Sequence, residues 1–409
     1  MEKCRKVFDQ ISSKPIYKFV PKYDIDGEIR ALTLDGMDYD GKKTKFFAYY
    51  GVPANAKKPL PAVVLVHGGG GHAYHCWIRK WMERGFAAIA MDTTGYMPTQ
   101  KNAGFIDTKE DAPYWSREWN DDFAELDYSA GPDNDSMDIN DKSIDKQWMF
   151  HAVSTVIHSH NFLIKQPEID NEKIGICGIS WGGVITSIVL GFDTRFAFAI
   201  PIYGSGYLSE GLSEITKVFR IESVKNSLWI AENRFDDVKC PVLWMAWNDD
   251  SAFSINSNTF SFEHTQKNNT DNRISIINKM FHSHERAWIR EESYFFAESI
   301  ILKKEKMPYF FDMIYKNNIL SMKVLADCKI TVNSATLYYI DEPMKYIKYD
   351  KFGYGEGSFM AEKWKTNLLN ISDGIISGVL PDKIGGFYVE ILFSYDDKEL
   401  VVTTGYKTI

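Results

Sequence analysis

The stretch that decides the fold is Lys173-Ile174-Gly175-Ile176-Cys177-Gly178-Ile179-Ser180-Trp181-Gly182-Gly183. Its first five residues predict a buried strand, and the apolar run 184–190 that follows predicts a helix. The Gly-x-Ser-x-Gly pattern therefore lies at a strand-to-helix turn, where glycines are needed because a Cβ would collide with neighbouring backbone. The pattern alone occurs by chance and is then a structural turn. In this context it predicts that Ser180 is an exposed nucleophile at a helix N-terminus, which favours a developing negative charge.

Continuous apolar runs predict further buried strands on both sides of this stretch. They alternate with helical segments, which indicates an α/β fold with a mostly parallel sheet and helices on both faces. An antiparallel hairpin, 29–34 and 44–50, precedes them. The predicted strands are 61–66, 86–91, 173–177, 196–200, 242–246 and 273–277, and the predicted helices are 77–85, 144–165, 184–190, 259–266 and 291–302.

The last part of the chain has a different pattern. From about residue 327 the segments alternate in period two, as in 336–339 and 387–394, with turns at Asp373-Gly374 and Gly385-Gly386. Short strands at this spacing predict an all-β sandwich. We therefore expect a catalytic domain at 1–310 and a β-sandwich accessory domain at 327–409, with the boundary between 305 and 327.

Residues 93–142 interrupt the alternation of strands and helices. They are polar, rich in Gly, Pro, Asp and Asn, and carry Trp115, Trp119 and Tyr128 without clear periodicity. A loop of this length in a compact domain usually has a function. We expect an excursion that covers the mouth of the site.

Composition excludes several classes of partner. With 55 acidic and 47 basic residues the net charge is −8, so the chain offers no basic face to nucleic acid or anionic lipid. Five scattered cysteines show neither Cys-x-x-Cys pairing nor metal-ligand spacing, which predicts reduced thiols and no metal. No signal peptide and no apolar run of about 20 residues is evident, so we expect a cytoplasmic protein without a membrane partner.

A glycine loop, His67-Gly68-Gly69-Gly70-Gly71, follows the first buried strand. Acyl transfer needs amide donors aimed at the oxyanion, and such a loop supplies one beside the amide of the residue after the nucleophile. The predicted donors are Gly69 or Gly70 together with Trp181, and His67 is expected to order the loop. A phosphate-binding loop is the alternative, but the Gly-Lys-Ser/Thr ending and the Rossmann spacing are missing.

The acid and the base of a serine hydrolase follow the nucleophile in the order acid, then histidine. Two carboxylates, Asp249 and Asp250, come directly after the strand 242–246, and we favour Asp249 with Asp250 as the alternative. After strand 273–277 the chain continues as Met280-Phe281-His282-Ser283-His284, so one of this histidine pair is the base. We favour His284 as the base and expect His282 either to support the base or to contact the substrate.

These stretches resemble a known family. Residues 67–74, 148–207, 241–249 and 280–284 are similar to the acetyl xylan esterase and dienelactone hydrolase-like proteins of the α/β-hydrolase superfamily. The resemblance extends to the C-terminal β-sandwich. It implies an α/β-hydrolase fold and a carboxylic ester hydrolase that needs no cofactor and acts on acetylated carbohydrate.

The leading hypothesis is ester hydrolysis through an acyl-enzyme, with Ser180 as nucleophile and a small-molecule or oligosaccharide ester as substrate. Bulky residues near the predicted pocket, Tyr74, Tyr203 and Trp181, favour short acyl groups and predict substrate contacts for the two tyrosines. A prolyl-oligopeptidase-like peptidase is one alternative, but about 60 residues before the first core strand are too few for its gating domain. A carbohydrate-binding protein with a vestigial hydrolase core is the other.

Overall fold

The computed structural model describes residues 6–11, 13–54, 57–95, 142–211, 213–220, 228–250, 252–341 and 364–409. The excursion predicted at 93–142, with Trp115, Trp119 and Tyr128, lies outside the described residues except at its two ends.

The strands of the first three quarters of the chain form one sheet. They are β1 (Tyr17–Phe19), β2 (Ile29–Asp35), β3 (Lys45–Gly51), β4 (Leu60–Val66), β5 (Ala87–Met91), β6 (Ile169–Ile179), β7 (Ala199–Ile202), β8 (Leu243–Trp247) and β9 (Arg273–Ile277). The α-helices between and after them are α1 (His75–Met82), α2 (Trp148–Ile164), α3 (Trp181–Val189), α4 (Ile255–Gln266), α5 (His284–Trp288) and α6 (Glu291–Ile301).

The spatial order of this sheet is β1-β2-β3-β5-β4-β6-β7-β8-β9, with the first three strands antiparallel and the rest parallel. In the centre, Val64 of β4 lies between Ile89 of β5 and Ile176 of β6. Most residues of β4 and all of β5 are buried, because helices cover both faces of the parallel part. The predicted mostly parallel α/β sheet is confirmed.

The carboxyl ends of β4, β6, β8 and β9 meet at one edge of this sheet. Each is followed by a stretch that the sequence singles out: the glycine loop, Ser180, the two aspartates and the two histidines. Loops after parallel strands are where open α/β sheets bind ligands. The topology alone therefore brings the candidate residues together.

The C-terminal part is all β. Its strands are β10 (Tyr309–Lys316), β11 (Ile319–Leu325), β12 (Thr331–Ile340), β13 (Lys365–Ser372), β14 (Ile375–Val379), β15 (Gly386–Tyr395), β16 (Lys398–Thr403) and β17 (Lys407–Thr408). They pair antiparallel, and β11 lies beside β14. The strands β10 and β11 thus belong to this part although they precede residue 327, where the sequence first shows a period of two.

The C-terminal strands continue the hydrolase-like sheet at its far end. Thr403 of β16 pairs antiparallel with Ile274 of β9. Next to this pair, Ser275 Oγ donates to the carbonyl of Val401 at 2.7 Å and Ile276 N donates to Thr403 Oγ1 at 3.1 Å. The two parts of the chain are joined through backbone as well as side chains.

Among the described residues, no helix combines the length and the apolar character that a membrane crossing requires.

Candidate active site

The turn between β6 and α3 is strained in the way the sequence predicts. Ser180 has φ 59° and ψ −121°, a conformation that costs free energy for a residue with a side chain. A Cβ on Gly178 would lie 2.1 Å from the carbonyl oxygen of Gly182, and one on Gly182 would lie 2.0 Å from that of Val66. Only glycine at both positions lets the helix start so close to the sheet, and this close approach holds Ser180 at the sheet edge.

His282 lies between Ser180 and Asp250. Its Nε2 is 2.8 Å from Ser180 Oγ, and its Nδ1 is 2.7 Å from Asp250 Oδ2. Because a carboxylate can only accept, Nδ1 carries the proton and Nε2 is left to accept from the serine hydroxyl. The three side chains form one continuous chain of hydrogen bonds, the arrangement of a serine hydrolase triad.

The Asp250 carboxylate is held from its other side by backbone. Its Oδ1 accepts hydrogen bonds from the amides of Ala252 and Phe253, at 2.8 and 3.0 Å. The side chain is only 2% exposed. An aspartate that binds amides two and three residues further on forms a local turn of its own, so its second oxygen has a fixed direction toward His282.

Two aromatic rings stack against the imidazole of His282. The ring of Tyr203 stacks on it with centroids 4.4 Å apart, and Phe253 lies parallel at 5.8 Å. Tyr203 also donates its hydroxyl to the carbonyl of Phe281 at 2.7 Å, and burial raises the pKa of its phenol well above the ordinary value. Tyr203 is fully buried and packs on His282, and the substrate contact expected of it stays a prediction.

The prediction that His284 lies against Ser180 is wrong. Ser283 caps helix α5 by accepting from Arg286 N at 3.1 Å, so His284 is the first residue of that helix, whereas His282 lies in the loop before it. Its Nε2 accepts instead from the amide of Gly68 at 2.9 Å. The other histidine of the predicted pair, His282, is the one whose Nε2 lies at Ser180 Oγ.

The preference for Asp249 over Asp250 is also contradicted by the geometry. Asp249 Oδ1 accepts from Trp364 Nε1 at 2.9 Å, and Trp364 comes from the C-terminal part of the chain. Burial raises the pKa of the Asp249 carboxyl to about 6, although the hydrogen bond from Trp364 opposes this. Asp249 thus bonds to Trp364, while Asp250 bonds to His282.

The glycine loop packs against the nucleophile. A Cβ on Gly68 would lie 2.7 Å from Ser180 Cβ, and one on Gly69 would lie 3.1 Å from the indole of Trp181. Gly70 has φ 64°, which favours glycine. The residues predicted as oxyanion donors, Gly69, Gly70 and Trp181, therefore border the turn that carries Ser180, and their donor role stays a prediction.

His67 orders this loop. Its Nδ1 lies 2.7 Å from the carbonyl of Gly68, and its Nε2 accepts from the amide of Thr93 at 3.0 Å. Burial lowers the pKa of His67, while Asp92 nearby opposes this, so the ring is neutral and its Nδ1 proton goes to Gly68. Tyr74, predicted to bind substrate, is buried and packs on the ring of His284 at 5.0 Å between centroids.

Some functional contacts had no counterpart in the sequence-based prediction, namely those of Phe253, Trp364 and the Gly68 amide. One signal was available: a serine is a preferred N-cap, so Ser283 indicates that a helix begins at His284 and leaves His282 in the loop. The contact from Trp364 joins residues 115 positions apart and leaves no local signal. Among the described residues, no cluster of His, Cys, Asp or Glu is suited to hold a metal ion.

Comparison with known proteins gives a family match. The family model described as "Dienelactone hydrolase family" matches residues 46–311. The structure named "Acetyl xylan esterase from Paenibacillus sp. R4" is similar at TM-score 0.50 and 18% sequence identity, covering 73% of this chain and 92% of that chain. Acetyl xylan esterase 1 from Thermoanaerobacterium sp. JW/SL YS485 has a TM-score of 0.49 at 18% identity, with 73% and 92% covered. No curated protein matches the sequence.

Proposed function

Because this chain belongs to the dienelactone hydrolase family and is a serine hydrolase of carboxylic esters, we propose that Ser180, His282 and Asp250 are its catalytic triad. The observation that carries the proposal is the hydrogen-bond chain from Ser180 Oγ through both imidazole nitrogens to Asp250. All three side chains lie on loops after parallel strands of one sheet. The strain at Ser180 is that of a nucleophile turn.

The proposed reaction has two halves. Ser180 Oγ attacks the ester carbonyl while His282 Nε2 takes the hydroxyl proton, and Asp250 stabilises the imidazolium that forms. Collapse of the tetrahedral intermediate breaks the bond to the alcohol, which leaves with the proton from His282. A water molecule then gives its proton to His282 and attacks the acyl-enzyme, which releases the acid and restores Ser180.

The tetrahedral oxygen needs donors that are already in place. We assign the amide of Trp181, at the start of α3, and an amide of the glycine loop, Gly69 or Gly70, to this role. The helix start favours negative charge, and the loop packs directly on Ser180 and Trp181. The charge of the intermediate is thereby offset by groups that need not move during the reaction.

As the substrate class we propose an acetylated carbohydrate. The resemblance in sequence and the name of the similar Paenibacillus structure support this choice. The indole of Trp181 stands next to the nucleophile, and Phe253 lies edge-on to it with centroids 6.2 Å apart. Two large rings beside Ser180 leave room for a small acyl group and favour acetate over long chains.

The test is a comparison of Ser180→Ala with a matched serine variant, Ser187→Ala. Ser187 lies on the same helix, where its hydroxyl donates to the carbonyl of Gly183 at 2.9 Å, away from His282. We expect Ser180→Ala to lose about 10⁴- to 10⁶-fold in turnover of p-nitrophenyl acetate and acetylated xylan, and to lose fluorophosphonate labelling. Ser187→Ala should keep both.

Three results would contradict the proposal. A Ser180→Ala protein with more than about a tenth of the wild-type rate would exclude the serine mechanism. Faster cleavage of acyl-peptides than of any acetyl ester would favour the peptidase alternative. Tight binding of xylan without turnover or labelling would indicate a vestigial site.

A further inference from the structure

We propose that His284 is a positioning residue that holds the glycine loop in the shape needed to stabilise the oxyanion. The proposal rests on the function proposed above. Its first support is the hydrogen bond from the amide of Gly68 to His284 Nε2, at 2.9 Å. An imidazole nitrogen that accepts carries no proton, so His284 acts here as a neutral acceptor.

Two histidines bind Gly68, one through the peptide group before its Cα and the other through the peptide group after it. Its amide donates to His284, while its carbonyl accepts from His67 Nδ1 at 2.7 Å and from the amide of Gly71 at 3.0 Å. A Cβ on Gly71 would lie 2.9 Å from both His284 Nε2 and His67 Nδ1, so the loop curls around the two rings. The two hydrogen bonds therefore fix the two peptide planes that meet at the Gly68 Cα.

Gly68 lies next to the proposed nucleophile, Ser180. Besides its approach to Ser180, a Cβ on Gly68 would meet the carbonyl of Ile179 at 2.8 Å, so the loop has no free space on the side of the nucleophile. The amide that follows, that of Gly69, belongs to the proposed donors. The Gly69 N–H lies in the same peptide plane as the Gly68 carbonyl, and this plane meets the plane of the Gly68 N–H at the Gly68 Cα. A rotation of either plane would therefore displace the Gly69 amide.

His284 itself is rigidly placed. It is 3% exposed and begins α5, whose N-cap is the Ser283 side chain. The rings of Tyr74 and Trp288 pack beside it, with centroids at 5.0 and 6.4 Å. A donor or acceptor on a supporting residue is effective only when its own position is fixed, and here packing and a helix start fix it.

This arrangement separates the tasks of the two histidines. His282 transfers protons, and His284 stabilises the transition state through backbone. Loss of the His284 acceptor should therefore weaken the binding of a tetrahedral oxyanion while leaving the titration of the base unchanged. Loss of an entire oxyanion donor costs about 10²- to 10³-fold in kcat, and loss of a supporting contact costs less.

The experiment compares His284→Leu, which has no acceptor, with His284→Gln, whose Oε1 can accept from Gly68. We expect kcat to fall about 10- to 100-fold in His284→Leu with little change in KM, and to recover to within about threefold of wild type in His284→Gln. The affinity for a trifluoromethyl ketone, which forms a tetrahedral adduct with serine, should fall in parallel with kcat/KM. The acidic limb of the pH-rate profile, set by His282, should not shift.

A measurement on the unaltered protein covers the case in which His284→Leu does not fold. In ¹⁵N-labelled wild-type protein, His284 Nε2 should show the shift of an unprotonated acceptor and a coupling across the hydrogen bond to the Gly68 amide. Wild-type activity in His284→Leu, a loss not restored by Gln, or unchanged inhibitor affinity would each overturn the inference, as would a protonated Nε2. Failure of the triad proposal is distinct, because it appears as activity in Ser180→Ala.

Discussion

Replacing Asp250 with asparagine should move the proton of the His282 imidazole from Nδ1 to Nε2. The asparagine oxygen can keep the hydrogen bonds from the amides of Ala252 and Phe253, which turns its NH₂ group toward His282. Two N–H groups would then face each other over the 2.7 Å now spanned by a hydrogen bond. The imidazole avoids this by moving its proton to Nε2, where it donates to Ser180 and no longer accepts.

The expected loss is large because the general base is lost without any change of shape. A triad with the wrong tautomer loses about 10⁴-fold in kcat, which corresponds to roughly 5.5 kcal/mol of transition-state stabilisation. The matched control is Asp249→Asn, one residue earlier. Its oxygen can still accept from Trp364 Nε1, so we expect kcat within about threefold of wild type.

The assay is the steady-state rate of p-nitrophenyl acetate hydrolysis for both variants between pH 5 and 9, with circular dichroism to verify folding. Two results together would contradict the role of Asp250: an Asp250→Asn protein that keeps more than about a tenth of wild-type kcat, and an Asp249→Asn protein that is inactive. That outcome would return the role of the acid to Asp249.

Two further predictions concern stability and acyl length. Burial raises the pKa of Asp249 from 3.8 to about 6, so the folded state favours the protonated form, and the free energy of unfolding should fall by up to roughly 3 kcal/mol as pH rises from about 4 to about 6. Asp249→Asn should lack this fall and be more stable than wild type at pH 8, and equal denaturation midpoints there would contradict the assignment. Because the Trp181 ring limits the space beside Ser180, acetate esters should react faster than octanoate esters, and Trp181→Ala should narrow the difference. If both wild type and Trp181→Ala hydrolyse octanoate esters faster than acetate esters, and by the same factor, the ring does not have this role.

The fold and the strained turn at Ser180 could be predicted from sequence because their signals are local. Continuous apolar runs mark the buried strands, and the glycines around Ser180 are required by contacts within the same turn. The same holds for the glycine loop after β4. The pairing within the C-terminal part has a weaker local signal, since β11 pairs with β14, which is distant in sequence.

The acid and the base could be predicted only as pairs of neighbours. The choice within each pair depends on what the rejected residue contacts, which for Asp249 is Trp364 and for His284 is the amide of Gly68. Both contacts join distant parts of the chain, and the second spans 216 positions. Sequence periodicity says which residues follow a strand but not which side chain turns toward the nucleophile.

The pairing of Thr403 with Ile274 protects this chain against aggregation through an exposed sheet edge. Without β16, strand β9 would be the outermost strand of the parallel sheet, and its residues Arg273–Ile277 are all buried. An uncovered edge of this kind, apolar and rich in β-branched residues, is a template for pairing with another chain. The C-terminal strands thus cover the edge of the hydrolase sheet. A protein truncated after α6 should therefore be prone to aggregate, even though every residue of the proposed triad remains.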